Sequence, residues 1–116
     1  MVKIYGIKNC DTMKKAFAWL QENGIAFELQ DYKKGALTAA LASQWISVLG
    51  LEAIINKRGT TYRKLDETQK AALENPSSAV AIMLAEPSLI KRPLLEANGK
   101  QLLGFSQDSY QTFFKS

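Results

Sequence analysis

The opening 32 residues restrict the possible folds more than any other stretch of the chain. Val2 to Tyr5 is a short apolar run that predicts a strand. Met13, Ala16, Phe17 and Leu20 then recur at helical spacing, and Gly24 is placed to end that helix. From Phe27 to Tyr32 the pattern alternates, predicting a second strand. Strand, helix and strand over so short a length make a βαβ unit, with parallel strands and a right-handed crossover.

The middle of the chain reads as helical. Thr38 can cap a helix carrying Leu41, Trp45 and Leu49, ended by Gly50. Asp66 with Gln69 has the capping-box spacing, before a second helix that stops ahead of Pro76. Ser77 or Ser78 is placed to cap a third, apolar helix through Leu84, and Lys57 to Lys64 reads as a polar, basic loop. The tail changes period: Leu94 to Ala97, Asn98-Gly99, then Lys100 to Gly104 predicts a hairpin on a type I′ turn. Ser106 can cap a closing helix with an apolar stripe of Tyr110, Phe113 and Phe114. These aromatics, with Phe17, Leu41, Trp45 and Leu65, are expected in the core.

The order β-α-β, helical block, β-β-α is that of an α/β thioredoxin-like (glutaredoxin-like) core. It predicts a four-stranded mixed sheet with a helical insertion between the second and third strands and the first strand central. The expected layout is one domain over 1–116, with the core at about 1–35 and 86–116 and the insertion at about 36–85.

Composition narrows the chemistry. The chain has no histidine and one cysteine. That removes the usual general base near neutral pH and a zinc site of the usual kind. It also rules out an internal disulfide, which fits a reducing compartment, so a cytoplasmic location is expected. The N-terminus lacks a basic segment followed by an apolar one, and no secretion signal is expected. The apolar run from Ala79 to Ala85 falls far short of the about 20 residues that span a bilayer. The net charge of +4 and pI near 9.2 suit either a nucleic-acid binder or an enzyme for small anionic substrates.

Three features can carry function. Cys10 stands where the first strand passes into the first helix, with Lys8 and Asn9 before it and Lys14 and Lys15 after it. The free N–H groups and positive end of a helix stabilise an anion there, and so a thiolate. The alternatives are an inert thiol buried among apolar side chains and a surface thiol of no consequence. Lys91-Arg92-Pro93 opens the third strand, either as a plain turn with solvated cations or as a corner whose guanidinium grips a carboxylate or oxyanion. Lys57 to Leu65 places Lys57, Arg58, Arg63 and Lys64 around Gly59, Thr60 and Thr61, as an anion cradle or as a solvated loop.

The segments YGIKNCDTMKKA from Tyr5, RGTTYRKL from Arg58, LIKRP from Leu89 and GFS from Gly104 closely resemble the arsenate reductase (ArsC)/Spx family. Within it they look most like the YffB-type branch. The likeness spans nearly the whole chain and keeps the motif order. It implies that Cys10 is the nucleophile after the first strand, that Arg92 is the oxyanion-binding arginine before a proline, and that Pro93 is the cis-proline of the fold. It further implies glutathione as an external thiol. There are two departures, Asn56 and Gly104, each where the arsenate reductases carry an arginine; Arg58 lies only near the first. The Spx regulators, which bind RNA polymerase, carry Cys-x-x-Cys, and here the second position is Met13.

The expected function is therefore that of a glutathione-dependent thiol reductase with one nucleophilic cysteine and an external resolving thiol. Cys10 is its catalytic residue; Lys8, Asn9, Arg58, Arg92 and Pro93 hold glutathione or substrate. No metal or bound cofactor is expected, glutathione being a co-substrate. The expected partners are a small thiol or anionic substrate and glutaredoxin, with neither membrane nor nucleic acid. The alternatives are an arsenate reductase coupled to glutaredoxin or glutathione, and an Spx-like regulator docking on RNA polymerase.

Overall fold

The βαβ unit forms as β1 (Val2–Gly6), α1 (Asp11–Glu22) and β2 (Phe27–Asp31) in a computed structural model that describes residues 2–115. β1 and β2 run parallel, with Val2 opposite Phe27 and Gly6 opposite Asp31. β3 (Leu94–Ala97) lies antiparallel on the other side of β1, pairing Tyr5 with Leu94, and β4 (Lys100–Leu103) completes the order β2-β1-β3-β4. The β3–β4 turn has positive φ at Asn98 (53°) and Gly99 (76°), as a type I′ hairpin requires. The closing helix α7 (Gln107–Lys115) starts where Ser106 Oγ accepts the Ser109 N–H at 3.0 Å. This is the thioredoxin-like α/β arrangement, with β1 inside the sheet.

Period-two alternation explains how the sheet is covered. Ile4 of β1 and Leu95 of β3 join Met13, Ala16 and Leu20 of α1 and Tyr110 of α7 in one buried cluster. Aromatic rings close its margin: Phe17 stacks on Phe27 at 5.3 Å, and Trp19 meets Tyr110 edge-on at 5.5 Å. The second strand is shorter than its alternation predicts. Asp31 accepts the Lys33 N–H at 2.9 Å, which turns Tyr32–Lys34 into a single 3-10 turn ended by Gly35 at φ 76°.

The chain divides into two compact units: Met1–Ala36 with Arg92–Ser116, and Leu37–Lys91. The second is helical. α2 (Ala39–Leu49) is capped by Thr38, and the reciprocal Asp66–Gln69 box opens α5 (Glu67–Ala72), both as the sequence predicts. α2 packs against α6 (Pro76–Ala85), with Trp45, Ala79 and Met83 fully buried and Leu65 nearly so; Leu41 is only half-buried.

Three features of this unit depart from the sequence reading. α6 starts at Pro76 with Asn75 as its cap, so Ser77 and Ser78 lie in its first turn. Proline suits that first position because its missing N–H would have had no helical partner. The segment Lys57–Lys64 contains a one-turn helix, α4 (Thr60–Arg63), and a further turn, α3 (Leu51–Ile54), follows α2 after Gly50. Both are too short for periodicity to reveal.

Candidate active site

Cys10 is the N-cap residue of α1, with extended backbone (φ −131°, ψ 131°) and its carbonyl accepting the Lys14 N–H at 3.0 Å. An N-cap side chain normally accepts from the second or third helical N–H, which here belong to Thr12 and Met13. A neutral thiol is a poor acceptor, and Cys10 makes no capping hydrogen bond as a thiol. The anion is the form those amides suit. Cys10 is partly buried and packs against the edge of the buried cluster. Burial pushes the thiol pKa up, but the Met13 and Thr12 N–H groups, then the charge and hydrogen bond of Arg92, push it down further, so it lies below the ordinary thiol value.

Arg92 reaches the sulfur because of the strand register. Tyr5 pairs with Leu94, so Arg92 and the buried Pro93, joined by a cis peptide bond, stand just before β3 beside Gly6. The Pro93 carbonyl accepts the Gly104 N–H at 2.8 Å, tying this corner to the end of β4. Gly6 leaves room for Met13 here: a Cβ there would lie 2.6 Å from Met13 Sδ, whereas Arg92 Cγ, 3.6 Å from it, would be in ordinary van der Waals contact.

Lys8 and Asn9 are exposed in the loop leading to Cys10. Arg58 belongs to the helical unit, where it is exposed and its N–H donates to Asn56 Oδ1 at 3.2 Å. Asn56 also donates its own N–H to the Leu89 carbonyl at 2.8 Å, so Asn56 is a turn-former here. Gly104, at the other departure, has φ 76°, a conformation that disfavours arginine. The structure thus brings Cys10, Arg92 and Pro93 together. Sequence reasoning missed Gly6, and it missed Tyr32, whose phenol lies within the field of the Arg92 guanidinium. Among the described residues no group of His, Cys, Asp or Glu could hold a metal ion, and no helix is long and apolar enough to cross a membrane.

The ArsC family model matches residues 5–113. The chain belongs to the ArsC family. It is similar to a solved YffB protein, with 46% identity, a TM-score of 0.90 and coverage of 97% of each chain. It is also similar to the solution structure of an arsenate reductase (ArsC) related protein from Brucella melitensis, with 45% identity over 99% of this chain and 95% of that one, at a TM-score of 0.76. An uncharacterized protein of Haemophilus influenzae is 41% identical over 98% of this chain and 99% of its own length. The global transcriptional regulator Spx of Streptococcus mutans is 26% identical over 97% of this chain and 82% of its own.

Proposed function

We propose that this ArsC-family chain is a thiol-dependent oxidoreductase that uses glutathione as its external thiol. The observation that carries the reading is the Cys10 sulfur, set against the Thr12 and Met13 N–H groups and the Arg92 guanidinium. Family membership supports the oxidoreductase class. In the proposed reaction the Cys10 thiolate attacks the glutathione sulfur of a mixed disulfide. A Cys10–glutathione disulfide forms, and the substrate leaves as a thiolate. A second glutathione thiolate then attacks the glutathione sulfur of that adduct, releasing glutathione disulfide and restoring the Cys10 thiolate. With Met13 fully buried at the Cys-x-x-Cys position, the resolving thiol comes from solution.

Arg92 stabilises the Cys10 anion and pairs with a glutathione carboxylate, while exposed Lys8 and Asn9 border the entering peptide. The backbone corner at Arg92-Pro93 offers main-chain pairing to that peptide. A cytoplasmic glutathione pool supplies the co-substrate, and glutaredoxin is a fitting partner. Arsenate reduction has weaker support, because Asn56 and Gly104 hold structural roles at positions where the arsenate reductases use arginine.

The test is reduction of a glutathione mixed disulfide by the purified protein, followed by intact mass measurement. The protein should gain one glutathione at Cys10 and turn over with excess glutathione, and Cys10→Ser should do neither. Cys10→Ser that keeps full activity, or a wild type that never carries glutathione, would refute the proposal.

A further inference from the structure

Tyr32 is a buried tyrosine that the proposed chemistry leaves unused. Only 6% of the residue is exposed, and its hydroxyl is buried without a hydrogen-bond partner. Buried polar groups are nearly always paired, and an orphan destabilises the fold, so one kept at this place calls for an explanation. The place is informative. Gly6 ends β1 opposite Asp31, and Tyr32 follows directly. On the other side of Gly6 runs the Arg92 stem. Tyr32 and Arg92 therefore flank the same strand end, close enough for the guanidinium charge to act on the phenol, as the neighbouring Tyr5 phenol also does.

We propose that the Tyr32 hydroxyl is the alternative seat of the Arg92 guanidinium, occupied once the Cys10 thiolate has been consumed. Above the Cys10 pKa the reduced protein offers the guanidinium an anionic partner in the Cys10 sulfur, which Arg92 reaches, and a charge-assisted bond outcompetes a neutral oxygen. When Cys10 enters a disulfide its negative charge departs on the leaving thiolate. The sulfur that remains is a poor acceptor. The phenol oxygen of Tyr32 then becomes the acceptor at hand for a guanidinium that cannot lose its proton. Tyr32 is thus a positioning residue: it acts through Arg92, stabilises the Cys10 disulfide state and leaves the thiolate state alone. The inference rests on Cys10 being the reacting group.

The experiment uses bis(2-hydroxyethyl) disulfide, a neutral reagent with no carboxylate for Arg92 to grip. Cys10 thiolate attacks one of its sulfurs, forming a Cys10 mixed disulfide and releasing 2-mercaptoethanolate, so Cys10 is oxidised as half of the reagent is reduced. The equilibrium constant is read by intact mass over a range of thiol-to-disulfide ratios, at one pH above the Cys10 pKa. Tyr32→Phe keeps the ring and removes only the hydroxyl. It should lower the constant about tenfold, the scale of one charged hydrogen bond. It should leave the pH profile of Cys10 alkylation unmoved, and the reduced variant should melt at or above the wild type. In an Arg92→Ala background the tenfold effect should vanish.

Equal constants in wild type and Tyr32→Phe would overturn the role of Tyr32 while leaving the thiol chemistry standing. So would a difference that survives Arg92→Ala, or an alkylation profile displaced by Tyr32→Phe. A native protein whose Cys10 forms no mixed disulfide at all would overturn both.

Discussion

Replacing Gly6 with alanine tests how the site is packed. A Cβ at Gly6 would lie 2.6 Å from Met13 Sδ and 2.7 Å from Met13 Cε, about 1 Å inside ordinary van der Waals separation. Gly6 is not among the glycines with positive φ, so alanine meets no backbone strain there and the collision alone sets the cost. The displaced atoms are the flexible end of a methionine, which softens the clash. Met13 is fully buried, however, and its thioether has no solvent to swing into. Overpacking of this kind costs about 1–3 kcal/mol, and the flexible end argues for about 1–2. For a domain near 100 residues, each kcal/mol moves the melting temperature by about 4–8 °C, so the variant should melt roughly 5–15 °C lower. Met13→Ala removes the colliding atoms and by itself should cost about 2–5 kcal/mol. The double variant should then cost less than the sum of the singles by about the whole Gly6→Ala term. Urea unfolding of the four proteins closes this cycle. Additivity within about 0.5 kcal/mol, or a neutral Gly6→Ala, would refute the packing argument.

Two further outcomes are expected. The folded-state pKa of Cys10 is depressed, so the native state binds fewer protons at this group than the unfolded chain does. The stability of reduced wild type relative to Cys10→Ser should therefore be fully developed above the unfolded thiol pKa of about 8.5 and decline as pH falls through the folded value; urea unfolding from pH 5 to 9 checks the sign, and a difference that grows toward low pH would contradict it. Gly104→Arg should destabilise the chain by about 1–2 kcal/mol in urea unfolding because the residue sits at φ 76°, and unchanged stability would show that the turn relaxes without cost.

The fold was legible wherever local chemistry and global packing agree. The βαβ opening, the Asn98-Gly99 hairpin and the Asp66–Gln69 capping box each have a local signature that the structure realises. The one-turn helices α3 and α4 have none, since four residues cannot show a period. At Ser77 and Ser78, two plausible caps hid a better one, Asn75 with proline behind it. Cys10 was legible from its position and Arg92 from the likeness to the ArsC family alone, and the structure adds that the amides facing the sulfur are those of Thr12 and Met13. Gly6 and Tyr32 could not be found that way. Their placement depends on the β1–β2 register and on the path of the Arg92 stem, which no short sequence window contains.

The Thr12 and Met13 amides of α1 and the Arg92 guanidinium together bring the Cys10 pKa below the ordinary thiol value, against the opposing effect of burial. The most direct test is the rate of Cys10 alkylation by iodoacetamide from pH 4 to 10, in the wild type and in Arg92→Ala. The expected result is a wild-type pKa below the ordinary thiol value of about 8.5 and a rise when the guanidinium is removed, without full return because the Thr12 and Met13 amides remain. A wild-type pKa at or above that value, unmoved by Arg92→Ala, would contradict it.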